Sequence, residues 1–449
     1  MGHFSDAFGI FIGVGGEKAE SLLTPRDNRG GRAHLSATEL LCALTYHCIH
    51  GIGALSSNLK RVINVQMSDA GIFKTRQRVS VEMMRQISDH CLNVRSDLAN
   101  EPFSFYGDRL LVAIDGTSFD LKNTEDVARH FTKAKARRSK DVEAKEAAFA
   151  RINVSCLVEL GLHNPLAVEV GSDEDSEVTL GNKLVDRIPV DCMFLADRLY
   201  GNACFADKLL SRFKGSRGAF VIRVGASTTS QEVVKRLPDG SAIIRVPLRN
   251  RDRPATIDRY VIVREIRSEL KKRNGELVQL RFWTNLLDSD VDPAIRLVEL
   301  YAKRWEHELY FNELKNELKT GRLLKSRNLL CAQQEIIVAV WSSSLIASVR
   351  GAVNREVDCD IRELKISFPK TLDKMQTIWN FVSLVADEIT PELIDQAIGA
   401  ALEELKKETI PRRTNRSCPR TIRKNVIDWP KTKCYQPQYG QIEARIISI

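Results

Sequence analysis

The sequence predicts an α/β protein in which a mixed sheet wrapped by helices is interrupted by an all-β insertion and flanked by helical regions at both ends. Three observations predict it. The apolar stretches 110–114 (LLVAI) and 191–196 (DCMFLA) each deliver an aspartate, Asp115 and Asp197, and short uninterrupted apolar runs fit strands buried on both faces. From 225 to 285 short β-rich runs alternate with charged turns. Residues 301–319 then repeat with helical period, and Tyr301, Arg304, Glu308, Phe311 and Lys315 fall within an arc of about 80° at about 100° per residue.

The length of 449 residues gives room for two or three domains, because single cores stop growing near about 250–300 residues. Net charge is +9 and aromatic content 7%. The excess of Lys and Arg therefore reads as a surface for a polyanion, nucleic acid first. No apolar run reaches the ~20 residues of a membrane helix, and the start lacks a basic region and a small-residue cleavage site. These features predict a cytoplasmic protein with no membrane partner. The ten cysteines are scattered with no CxxC pair, as in proteins with reduced thiols. His47, Cys48 and His50 form the one metal-like cluster, but nothing distant completes a tetrahedral site, so they read as a half-buried helix face. Gly13, Gly15 and Gly16 lack the endings of a phosphate-binding loop and read as a flexible N-terminal loop.

In chain order, Ser36 and Glu39 form a capping box before a small helical domain. Within it, 68–91 reads as a turn at 69–71 followed by a helix with Lys74, Arg76 and Arg78 on its polar side, a pattern shared by helix-turn-helix readers and plain bundles. Residues 102–108 are a connector. Strand 110–114 is expected to end at Asp115, followed by Gly116 and Thr117, and the basic stretch 122–146 reads as a mobile loop beside that acid. Strands at 151–160 and 166–170 form an antiparallel meander with the first. A helix starting near Ser176 and Glu177 leads to strand 191–196 and Asp197. If the two Asp-bearing strands are neighbours, their carboxylates converge at one sheet edge, where like charges call for bound cations. A helix at 203–214, a strand at 218–224 and the β insertion follow. The helix carrying Glu308 then returns to the core, with Asp292 as N-cap, Pro293 in the first turn and Gly321 as its stop. The rest is helical, with a basic tail at 411–434 whose eight Lys or Arg against one Asp give +7.

The order strand-Asp, strand-Asp, β insertion, helix-Glu, together with Tyr301, Arg304, Glu308 and Lys315 at the family spacing, closely resembles the insertion sequence four family of DDE transposases. Trp305, Phe311 and Leu314 also match, as do Asp115-Gly116-Thr117 and Asp197, Arg198, Tyr200 and Gly201, although Leu199 precedes the aromatic. His307 stands where the family has an aliphatic residue. The resemblance implies an RNase H-like core with Asp115, Asp197 and Glu308 as catalytic and metal-binding triad. It also implies two Mg²⁺ ions replaceable by Mn²⁺, and DNA contacts from Tyr301, Arg304, Lys315, Arg198 and Tyr200. The implied reaction is strand cleavage and strand transfer at terminal inverted repeats, on double-stranded DNA and by a homodimer. The expected division is a helical DNA-binding domain at 1–100, core at 101–224 and 286–350, β insertion at 225–285, and a helical C-terminal region at 351–449. The alternatives are a catalytically silent domesticated DNA-binding protein and an RNase H-like recombination nuclease.

Overall fold

The computed structural model describes residues 35–63, 65–133, 147–172, 175–225, 228, 232–249, 256–271, 277–318, 321–357, 364–384, 390–411, 416–417, 438–439 and 444–446. The expectations for Gly13, Gly15 and Gly16, for most of the basic stretch after 133 and for most of the basic tail lie outside the described residues.

Among the described residues four helices come first: α1 (Ala37–His50), α2 (Leu55–Ile63), α3 (Asp69–Arg76) and α4 (Val81–Cys91). The capping box of Ser36 and Glu39 is present in both directions. The turn expected at 69–71 is instead the first turn of α3, because the Ser68 hydroxyl accepts from Gly71 N and caps the helix there. Arg76 does not face outward. Its guanidinium donates to Gln334 Oε1 and the Cys331 carbonyl, 2.8 Å each, tying this helix to the C-terminal half. His50 stacks on Tyr46 and takes a contact from Arg61 at 3.2 Å.

The sheet follows, with β1 (Phe105–Tyr106), β2 (Arg109–Asp120), α5 (Glu125–His130), β3 (Arg151–Glu159), β4 (Asn164–Val170), α6 (Glu177–Lys183), β5 (Cys192–Ala196), α7 (Ala203–Arg212) and β6 (Ala219–Val224). Helix α5, capped by Thr124, occupies part of the stretch expected as a loop. The insertion supplies β7 (Glu232–Arg236), β8 (Ala242–Arg249), β9 (Ile257–Lys271) and β10 (Leu277–Thr284). Its described residues form strands, yet these do not make a sheet of their own. Among the described residues eleven strands make one sheet, nine of them along the path β4-β3-β2-β5-β6-β10-β9-β8-β7, because β10 pairs antiparallel with the edge of β6.

Strands β2, β5 and β6 are parallel neighbours. Their side chains alternate between two cores, which explains the continuous apolar runs. Val112, Ile114, Phe194 and Ala196 meet Leu184, Phe205 and Leu209 on one face. Leu111, Ala113, Met193 and Leu195 meet Ala294, Leu297 and Val298 on the other.

The second face is covered by α8 (Ala294–Tyr301), which passes through a 3₁₀ turn (Ala302–Arg304) into α9 (Trp305–Asn312) and a π-helical turn (Glu313–Leu318). The expected single helix is thus four segments in succession. Asp292 is not its cap. The carboxylate of Asp239, from the β insertion, accepts from Ala294 N at 2.8 Å, while Asp292 accepts from the Tyr106 hydroxyl. Gly321, with φ 141°, donates to the Lys315 carbonyl and ends the segment.

Helix α10 (Leu329–Glu356), β11 (Leu364–Ile366), α11 (Phe368–Leu384), α12 (Pro391–Lys407), β12 (Thr409–Pro411), β13 (Arg416–Ser417), β14 (Gln438–Tyr439) and β15 (Ala444–Ile446) are the remaining elements among the described residues. By length and composition α10 is apolar enough to cross a membrane, beyond what the sequence suggested, but 94% of its most apolar window is buried in the protein. Leu40, Ile49, Met84, Trp341, Val353 and Trp379 belong to one core, so the N-terminal and C-terminal helices pack as one body around α10. Strand β15 adds to β9 beside its pairing with β8.

Candidate active site

Parity along the sheet decides where the two aspartates point. Ile114 and Ala196 are the last Cα partners of the parallel β2–β5 ladder, so Asp115 and Asp197 follow it side by side. Both continue the alternation of Ala113 and Leu195, toward the α8 face. Asp197 ends its strand as expected. Asp115 does not, because the antiparallel ladder with β3 carries β2 on to Asp120 after the parallel partner has gone.

Helices α8 and α9 bring the remaining side chains down onto this edge. Arg304 bridges two acids, with Nη1 3.1 Å from Asp115 Oδ2 and Nη2 2.9 Å from Glu308 Oε1. The Tyr301 hydroxyl lies 3.3 Å from Asp197 Oδ1, and Arg223 Nη1 from β6 lies 3.8 Å from the same oxygen. Burial disfavours charge on Arg304, yet Tyr301, Asp115, Glu308 and Asp197 outweigh it and hold its pKa above the ordinary value. Arg304 is thus a cation seated between carboxylates. Among the described residues no three His, Cys, Asp or Glu side chains stand close enough to share one metal ion. The donor set is nevertheless all oxygen and anionic, as Mg²⁺ requires, and the guanidinium stands where positive charge is needed. By donor type the residues suit a hard divalent cation, with Arg304 lying between Asp115 and Glu308.

His307 is fully buried. Its Nε2 donates to the Cys156 carbonyl at 3.0 Å and its ring packs on Phe311 at 4.7 Å, so it ties this helix to β3. Burial lowers its pKa and keeps it neutral.

Two of the residues expected to touch DNA point inward. Tyr200 is fully buried with its hydroxyl 3.4 Å from Glu177 Oε1, because Gly181 leaves room for the ring where a Cβ would come within 2.4 Å of it. Lys315, in the π turn, is 6% exposed; it donates to the Thr117 hydroxyl and lies 5.2 Å over the Phe119 ring. Arg198 alone of the five is exposed.

Burial, with Arg322 next, pushes Lys315 down to about 8 from 10.5. Between those values the unfolded chain binds more protons than the folded one, so this residue makes stability rise with pH. Urea unfolding should therefore find the wild type gaining on Lys315→Met as pH is raised from 8 to 10.5. Parallel pH profiles would contradict the burial.

Sequence reasoning missed Glu177, which it noted only as a helix start. Its Cγ would lie 2.1 Å from a Cβ on Gly116, so it rests directly on the residue after Asp115. Burial first, then the charge of Asp115, pushes it up to about 7. A glycine beside the aspartate was the available signal, but one sequence does not say what fills a glycine's space.

Residues 106–345 match the family described as transposase DDE domain, more than half of the chain. The chain is 21% identical over 286 residues to the transposase InsG for insertion sequence element IS4 of Escherichia coli (strain K12), a stretch covering 62% of this chain and 60% of that relative. A cryo-EM structure of the piggyBac transposase synaptic complex with hairpin DNA aligns with 92% of this chain and 85% of its own at 10% identity and a TM-score of 0.42.

Proposed function

Because the chain belongs to the transposase DDE domain family, we propose that it is a DNA transposase of the insertion sequence four type. In this reading it cuts DNA at terminal inverted repeats and joins the freed ends to target DNA. The observation that carries the proposal is the edge where Asp115 and Asp197 emerge side by side and Arg304 ties Asp115 to Glu308. The strand order β4-β3-β2-β5-β6 supports an RNase H-like core beneath it.

The family implies dependence on a divalent metal, and Asp115, Asp197 and Glu308 are the residues that would hold it. Bound there, a pair of Mg²⁺ ions supplies Lewis acidity to the attacking and leaving oxygens of a phosphodiester, with Mn²⁺ as a substitute. The chain does the positioning. Tyr301 and Arg223 fix Asp197, while Arg304 fixes Asp115 and Glu308 and offers a phosphate a bidentate donor when it turns outward. Arg198 gives the backbone a further contact. The protein acts in the cytoplasm as a homodimer on double-stranded DNA. Residues 1–100 bind DNA, 101–224 and 286–350 form the catalytic core, 225–285 the insertion and 351–449 the C-terminal region.

The test of the DNA partnership is binding of duplexes ending in the inverted repeats that flank the gene, measured from low to high salt. Arg198→Ala should weaken binding and reduce the salt slope by about one. An unchanged slope would remove Arg198 from the interface, and no preference for repeat ends over random duplex would contradict the proposed substrate.

A further inference from the structure

We infer that Glu177 is a fourth carboxylate of this site, a positioning residue that sets its affinity for divalent cations. The inference rests on the reading of Asp115, Asp197 and Glu308 as metal-holding residues. Asp115 and Asp197 reach the sheet edge from the α8 face, whereas Glu177 reaches it from the opposite layer, at the first turn of α6. It arrives over Gly116, where its Oε2 would lie 2.6 Å from an added Cβ. The Gly116 N–H meanwhile donates to Asp115 Oδ1 at 2.9 Å, so one peptide separates the two carboxylates.

Two features keep it there. Ser176 caps α6 through Thr179 N and fixes the helix start, and the buried Tyr200, three residues after Asp197, presents its hydroxyl to Glu177 Oε1. Tyr200 needs Gly181 as Glu177 needs Gly116, so both glycines make space for this one contact. Ionised, the four carboxylates set four negative charges against the charges of Arg304 and Arg223 at the same edge. With both guanidinium groups counted, net negative charge remains at this edge for divalent cations to balance. A carboxylate placed this way is repelled in the empty site and attracted once cations enter. A purely structural carboxylate would instead stabilise the fold with or without metal.

The experiment compares the full-length wild type with Glu177→Gln, Glu177→Asp and Asp115→Asn. It measures Mn²⁺ binding by isothermal titration calorimetry without DNA, and thermal melting with and without Mn²⁺. Glu177→Gln should bind Mn²⁺ about 10- to 100-fold more weakly, melt no lower than wild type without metal, and gain less on adding Mn²⁺. Glu177→Asp, which keeps the charge, should recover most of the affinity. Wild-type Mn²⁺ affinity in Glu177→Gln, alongside loss of binding in Asp115→Asn, would overturn the inference and leave the site standing. A lower melting point for Glu177→Gln without metal would make Glu177 structural and likewise overturn it. Unchanged Mn²⁺ binding in Asp115→Asn would sink the site reading, and the inference with it.

Discussion

Glu308→Gln is expected to slow strand cleavage by on the order of 10³-fold or more, while binding to repeat ends changes only a few-fold. The substitution keeps the side-chain shape and its place beside Arg304, but removes one of three charges that would hold the cations. Loss of an interaction made in the chemical step lowers turnover far more than affinity. Single-turnover cleavage and gel-shift binding on the same DNA separate the two quantities. Cleavage within a few-fold of wild type would remove Glu308 from the triad.

The second large effect is on stability. Glu313→Ala should lower the free energy of unfolding by about 3–5 kcal/mol, because it takes the central carboxylate out of a buried cluster on which His163, Arg350 and Lys365 converge. Glu313 follows α9 directly, and His163 is clamped between it and Glu306 at 2.6 Å from each. Arg350 from α10 and Lys365 from β11 approach Glu313 at 3.5 Å. His163 sits in the β3–β4 turn at φ 57°, an uncommon conformation for a residue with a side chain. The cluster pins the Glu308 segment to that turn and to both C-terminal elements.

Burial alone would raise the Glu313 pKa, but His163, Lys365 and Arg350 outweigh it and hold it well below the carboxylate range. A depressed carboxylate stabilises the fold above its unfolded value and loses that contribution as pH falls. The difference between wild type and Glu313→Ala should therefore be fullest above pH 4.5 and shrink below it. Urea unfolding at pH 7 and under acid conditions measures both. A difference under about 1 kcal/mol at pH 7 would mean that the cluster contributes little.

Much of the strand content was legible because β2, β5 and β6 are buried on both faces and so read as continuous apolar runs. The placement of Asp115 and Asp197 followed from the same runs. The limits are equally physical. Where β2 ends depends on β3, a partner about 40 residues away in sequence, so the strand runs past Asp115 to Asp120. Asp239 caps α8 from 55 residues upstream, so Asp292, beside the proline, looked like the cap. Helical spacing put Lys315 on the face of Glu308, but it could not show that Lys315 packs against β2, where it meets the Thr117 hydroxyl. Glu177 was hidden because Ser176-Glu177 reads fully as a helix cap, and only the sheet reveals what lies beneath it.

The proposed function requires that this carboxylate edge cuts DNA. The most direct measurement is strand cleavage of a duplex carrying the gene's own flanking repeats by the purified wild-type protein, with Mg²⁺, with Mn²⁺ and with chelator. A nick at the repeat end that appears with either metal and vanishes with chelator is the predicted result. Tight, end-specific binding with no cleavage in either metal would contradict it and leave a DNA-binding protein without the chemistry.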